Sequence, residues 1–136
     1  MNPRISLSFN GQCEAAFRFY AAHLPGKLTF ILTWGDSPMA KDVPSEWGVK
    51  ICHATLEVGD THFSGSDAPP GSYKAPQGFR VQLDLDAVAE AQRIFDTLAQ
   101  NGQIGVALQE TFWARRYGMV TDQFGVPWEI NCGKPA

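Results

Sequence analysis

The sequence predicts an α+β fold, in which two βαβββ modules form curved mixed sheets around a cleft. Three observations lead there. The order strand–helix–three strands occurs twice, over about residues 3–67 and 79–132. Between the copies lies the stretch 68–78, APPGSYKAPQG, with three prolines and two glycines, the best linker in the chain. The starts of the copies also overlay without a gap: Ile5 falls on Arg80, Arg18 on Arg93, Phe19 on Ile94 and Tyr20 on Phe95, each 75 positions on. Toward the ends the offset drops to 65, from Ser64 to Glu129, because the loop at 35–50 is longer than its counterpart. A half-sheet of this kind gives one face to its helix. The other faces can curve toward each other, and a cleft between modules is where small ligands bind.

The elements follow in order. Residues 5–9, Ile-Ser-Leu-Ser-Phe, alternate strictly and predict a half-buried strand. Asn10-Gly11 breaks it. From Cys13 to Leu24, Ala16, Phe17, Tyr20 and Leu24 recur at helical spacing, and Pro25-Gly26 stops the helix. Leu28 to Trp34 is rich in β-branched and aromatic residues and predicts a strand. Residues 35–50 predict a loop. Strands Ile51 to Val58 and Thr61 to Ser66 flank a hairpin turn at Gly59-Asp60. In the second copy, Arg80 to Leu85 alternates, and Asp86 is placed to cap a helix running to about Gln100. Val88, Ala91, Ile94, Phe95 and Leu98 line one face of that helix, and Asn101-Gly102 ends it in the left-handed conformation. Three strands follow, around 104–111, 115–121 and 126–132.

The 136 residues fit one domain, 1–136. Apolar residues make up 44% and charged residues 18%, enough apolar surface for a real core. The net charge of −3 and the lack of a basic stripe argue against nucleic acid or an anionic membrane as partner. Met1-Asn2-Pro3-Arg4 lacks the pattern of a signal peptide, and no long apolar run is present. Cys13, Cys52 and Cys132 are odd in number and widely spaced, which predicts reduced thiols in the cytoplasm.

The stretch 109–130, QETFWARRYGMVTDQFGVPWEI, with the opening LSFNGQCEAAFRFY, closely resembles PhnB-like proteins. These belong to the glyoxalase/bleomycin-resistance group, the vicinal oxygen chelate superfamily. Thr121 to Glu129 resembles that superfamily's last hairpin, an Asp, a Gly and then a Glu. The resemblance implies paired βαβββ modules, usually dimeric, with a pocket in each concave sheet. It implies in the superfamily's enzymes a divalent metal held by His, Glu or Gln from the first and last strand of each module.

Carried over one position at a time, that set is incomplete. Glu129 matches the carboxylate of the last strand, Arg80 stands where a His is expected, and Ser64 stands for a Glu. The first strand gives Ile5, or Ser6 with a slip of one residue. Arg80 adds a permanent positive charge, which repels a metal, favours a carboxylate and can pair with Glu129. No confident cofactor follows, although a divalent metal stays open through a relocated cluster of Glu129, His53 and His62.

Other chemistry is sparse. No GxSxG turn, P-loop or GxGxxG is present, and Cys52-His53 point to opposite faces of a strand. On a strand, Arg115 and Tyr117 share a face, so an arginine there can grip an anionic ligand, with Trp113 as an apolar wall. An equal alternative makes this a packing and dimer segment. The expected function is therefore a PhnB-like protein binding a small organic, anionic ligand in the cleft through Arg80, Glu129, Ser64, Trp113, Arg115 and Tyr117, with the metal site largely lost and the chain a homodimer. Whether it is an enzyme stays open. The alternative is a metal-dependent lyase, isomerase, dioxygenase or thiol transferase with the relocated site.

Overall fold

The computed structural model describes residues 1–135. The chain divides into two compact units, residues 1–74 and residues 75 onward, with the boundary inside the proline-rich stretch.

In the first unit the elements are β1 (Ile5–Phe9), α1 (Cys13–His23), β2 (Gly26–Thr33), β3 (Ile51–Val58) and β4 (Thr61–Asp67). The sheet order is β1-β4-β3-β2, with β1 parallel to β4 and the other pairs antiparallel. Helix α1 buries Cys13, Ala16, Phe17 and Tyr20, and Leu7, Phe9, Ile51, Ala54, Leu56 and Phe63 are among the buried residues of the sheet. Gly65 makes room for this packing, because a Cβ there would run into the Phe17 ring. Gly65→Ala is therefore expected to lower stability by about 2 kcal/mol through overpacking, read as a shift of the urea midpoint. An unchanged midpoint would mean that the helix slides freely over the sheet.

The loop at 35–50 carries two short 3₁₀ turns, Ala40–Asp42 and Ser45–Val49. Its ends are tied together by Trp34 N–H donating to Lys50 O (2.8 Å) and Gly35 N–H to Gly48 O (2.9 Å). Trp34 is buried and its indole donates to the Asp67 carbonyl at 3.0 Å, so it anchors the loop on the core. The Asp67 side chain is 1% exposed and joins three segments. Its Oδ1 accepts from Gly11 N–H (2.9 Å) and Cys13 N–H (3.0 Å), and its Oδ2 from Ile51 N–H (2.8 Å). It thereby supplies acceptors that the start of α1 needs. Burial first, then the charges of Asp67 and Glu14, push the Cys13 thiol pKa far up, so Cys13 is an inert core residue.

In the second unit the elements are β5 (Val81–Leu85), α2 (Val88–Ala99), β6 (Gln103–Gln109), β7 (Ala114–Thr121) and β8 (Pro127–Gly133). The sheet order is β5-β8-β7-β6, with β5 parallel to β8. Ala91, Ile94, Phe95 and Leu98 are the buried face of α2. Phe95 sits over Gly118, where a Cβ would come within 2.7 Å of its ring. Asn101 ends the helix at φ 56°, as its sequence predicts.

Two expectations are corrected. Asp86 does not cap α2: the cap position is Ala87, with no side-chain bond, and the Asp86 carbonyl instead accepts from Arg115. The gap-free overlay also fails at the first strands. Ser6 pairs with Ser64 in one sheet and Gln82 with Glu129 in the other. The residue beside Glu129 is thus Gln82, and Arg80 lies just before β5. The segments joining strand to helix differ in length between copies, and an alignment without gaps absorbs the difference in the wrong place.

Candidate functional site

The second sheet has one face under α2 and one face open. Trp128, Ile130 and Cys132 of β8 are buried, so Glu129 and Asn131 alternate onto the other face. Tyr117 and Met119 of β7 and Gln82 and Asp84 of β5 stand beside them in register.

Glu129 is held by local structure that starts at Asp122. Asp122 is buried, and its Oδ1 accepts from Phe124 N–H (2.8 Å) and Val126 N–H (3.0 Å). Its Oδ2 accepts from the indole of the fully buried Trp128 at 2.8 Å. Gly125 closes the turn at φ 87°, which a residue with a Cβ adopts only under strain. The Asp–Gly–Glu pattern is therefore mechanical: Asp122 and Gly125 build the turn, Trp128 fixes the strand, and the next residue emerges on the open face.

On that face the Tyr117 hydroxyl donates to Glu129 Oε1 at 2.9 Å. Burial, the bond to Glu129 and the Glu129 charge all raise the Tyr117 pKa, in that order, while the positive charge of Arg80 opposes them. Arg80 therefore acts electrostatically on this hydroxyl. A group that holds its proton more tightly when folded contributes fully below its unfolded pKa, near the ordinary 10.0, and loses that contribution as pH rises through the folded value. Tyr117→Phe is thus expected to flatten the loss of stability above about pH 10, measured by urea midpoints across pH. Parallel wild-type and variant curves would contradict the placement of the proton.

A second polar group adjoins the pair. Gln82 Nε2 donates to Asp84 Oδ1 at 2.9 Å, and Asn131 Nδ2 to the same oxygen at 3.1 Å. Both amide orientations are dictated by the carboxylate, which only accepts. The Asn131 Oδ1 atom is buried without a partner. Beyond Tyr117 the rings continue: Trp113 meets Tyr117 edge to face at 5.0 Å, and Phe112 meets Trp113 at 4.8 Å. Trp113 is 45% and Phe112 88% exposed.

The remaining predicted residues fall elsewhere. Arg115 donates to the Gly133 carbonyl (2.8 Å) and the Asp86 carbonyl (2.7 Å), which ties β7 to the end of β8 and the start of α2. Arg80 lies at the rim of a cavity of about 150 Å³ with Gln103, Met119 and Thr121. In the first unit Ser64 sits on the open face beside Ser6. His53 contacts Phe30 and Thr55, and His62 lies 3.4 Å from Glu57. Among the described residues, no three His, Cys, Asp or Glu side chains gather into a metal-holding group. Gln82, Asp84 and Asn131 were not singled out in the sequence, although the alternation of β5 and β8 places them on the face of Glu129.

Comparison with known proteins agrees with this architecture. The Glyoxalase/Bleomycin resistance protein/Dioxygenase superfamily matches residues 7–130. Protein YjdN of Escherichia coli is 40% identical over 136 aligned residues, covering 94% of this chain and 92% of YjdN. Protein PA1353 of Pseudomonas aeruginosa is 41% identical, with a TM-score of 0.86 over 98% of this chain and 100% of that one. A PhnB protein of Bacillus cereus, 20% identical, shares the fold with a TM-score of 0.83 over 98% of this chain and all of its own. Two βαβββ units, the Asp122–Gly125–Glu129 hairpin and these relatives together establish that the chain belongs to the glyoxalase/bleomycin resistance/dioxygenase superfamily.

Proposed function

We propose that the chain binds a small organic ligand on the open face of the second sheet, with Arg80 taking an anionic group and the metal set of the superfamily given up. The observation that carries this reading is the Tyr117–Glu129 pair, set on the face away from the helix, flanked by exposed Trp113 on one side and reached by the charge of Arg80. Arg80 makes no ion pair among the described residues, so its guanidinium is free to grip an incoming anion.

The donor chemistry supports the loss of the metal. The strand positions in question hold Ser6 and Ser64 in the first unit and Gln82 and Glu129 in the second. In the second unit one carboxylate, already bonded by a tyrosine, stands beside one amide, and in the first unit both positions are neutral hydroxyls. Of the His, Glu or Gln that such a site takes, the first unit offers none at these positions. The histidines do not supply them, since His62 adjoins Glu57. We also take the chain to be a homodimer, in keeping with its superfamily. The edge strand β6, QIGVALQ, has no charged side chain to discourage pairing.

Thermal unfolding in the presence of a panel of organic acids tests the reading. At least one acid should stabilise the wild-type chain, by about 2.7 kcal/mol at one hundred times its Kd. Arg80→Ala should weaken that acid about tenfold or more. Stabilisation by zinc, nickel, manganese or iron alone, abolished by a chelator, would favour the metal-dependent alternative instead.

A further inference from the structure

We infer that the open face of the second sheet takes a cationic, hydrogen-bond-donating head of its ligand, set between the Glu129 carboxylate and the exposed rings of Trp113 and Phe112. The inference rests on the binding reading above and sharpens it. With Arg80 taking an anionic end, the ligand class becomes a small zwitterion.

The Tyr117 hydroxyl gives its proton to Glu129, and the amides of Gln82 and Asn131 give theirs to Asp84. Arg115 and Arg116 give theirs to main-chain carbonyls. What remains beside Arg80 and the second N–H of each amide is acceptor capacity: the second oxygens of two carboxylates, the Gln82 carbonyl and the Asn131 Oδ1, which is buried and lacks a partner. Around Glu129 and Asp84 the spare donors of these residues are thus neutral amide N–H groups, whereas the spare acceptors are charged. An ammonium supplies donors and compensates the carboxylates.

The aromatic cluster points the same way independently. Phe112, Trp113 and Tyr117 meet at near-right angles, 78° and 69° between ring planes, and so present faces around a corner. Exposed ring faces attract a cation through their quadrupole, and Trp most strongly. Tyr117 links the two halves, since its ring touches Trp113 and its hydroxyl bonds Glu129. Arg80 lies two residues before Gln82, the register partner of Glu129, roughly 7 Å along the strand path.

The test uses the full chain and three probes: propylammonium, its uncharged analogue propanol, and propionate. The readout is the indole N–H resonance of Trp113, assigned by its loss in Trp113→Phe. Propylammonium should shift it saturably, and propanol at least about tenfold more weakly. Glu129→Gln should weaken propylammonium by a similar factor while leaving the buried Trp34 and Trp128 resonances in place, which shows that the variant is folded. Asp84→Asn offers a second variant with the same expectation at smaller size. If propylammonium binds no better than propanol, or is indifferent to Glu129→Gln, the cationic head is wrong. If propionate alone binds, and does so through Arg80, the ligand-binding reading stands and this inference falls. If no probe binds, both fall.

Discussion

Asp67→Ala is expected to lower the stability of the chain by about 4 kcal/mol, the largest effect of any single substitution considered. Three main-chain N–H groups, from Gly11, Cys13 and Ile51, lose their acceptor at once. The site is 1% exposed, so water does not replace the carboxylate without opening the core. Against a total stability of about 5–15 kcal/mol, such a loss is a large fraction of the whole. Urea denaturation followed by tryptophan fluorescence reads it directly. Asp67→Asn keeps one carbonyl oxygen but turns an NH₂ toward another donor, and should cost about half as much. A midpoint shift equivalent to under about 1 kcal/mol for Asp67→Ala would show that the three N–H groups find other partners.

Asp122→Ala is expected to cost about 3 kcal/mol and to reduce ligand binding as well. The two effects share one cause. Without its carboxylate, the turn at Phe124 and Val126 loses two hydrogen bonds and the buried Trp128 indole loses its acceptor. The neighbouring Glu129 then no longer leaves the strand at a fixed angle, and its bond to Tyr117 loosens. Trp128→Phe separates the contributions, since it removes the indole N–H while the turn bonds persist. It should lower stability through the lost bond and the cavity left by the smaller ring, without loosening the turn. If Asp122→Ala changes stability but leaves the Tyr117 alkaline titration untouched, the turn does not position Glu129.

These two aspartates also show what the sequence disclosed and what it withheld. Asp122 was legible through the family resemblance, because the Asp, Gly and Glu of that hairpin lie close together in the chain. Asp67 was not. Its partners Gly11 and Cys13 lie more than fifty positions away along the chain, and nothing in the local pattern of β4 announces them. The strands and both helices could be read from alternation and helical spacing, because each buries one face. The register between β5 and β8 could not, since it depends on how many residues the chain spends between strand and helix. That is why Gln82, rather than Arg80, stands beside Glu129. Trp113 and Tyr117 were legible as neighbours on a face, whereas the commitment of Arg115 to two carbonyls depends on where Asp86 comes to rest.

The tie at the ends of the loop 35–50 has a consequence for how this chain tolerates change. Trp34 and Gly35 bond Lys50 and Gly48, and the Trp34 indole reaches Asp67, so both ends of the loop are pinned to the same corner of the sheet. Whatever lies between is closed off from the strands mechanically. Lengthening a closed loop is cheap, about 0.6 kcal/mol for each doubling. The exposed positions within residues 36–47 are thus a place where the chain can accept an insertion, a tag or a cross-linking handle while the first sheet keeps its pairing.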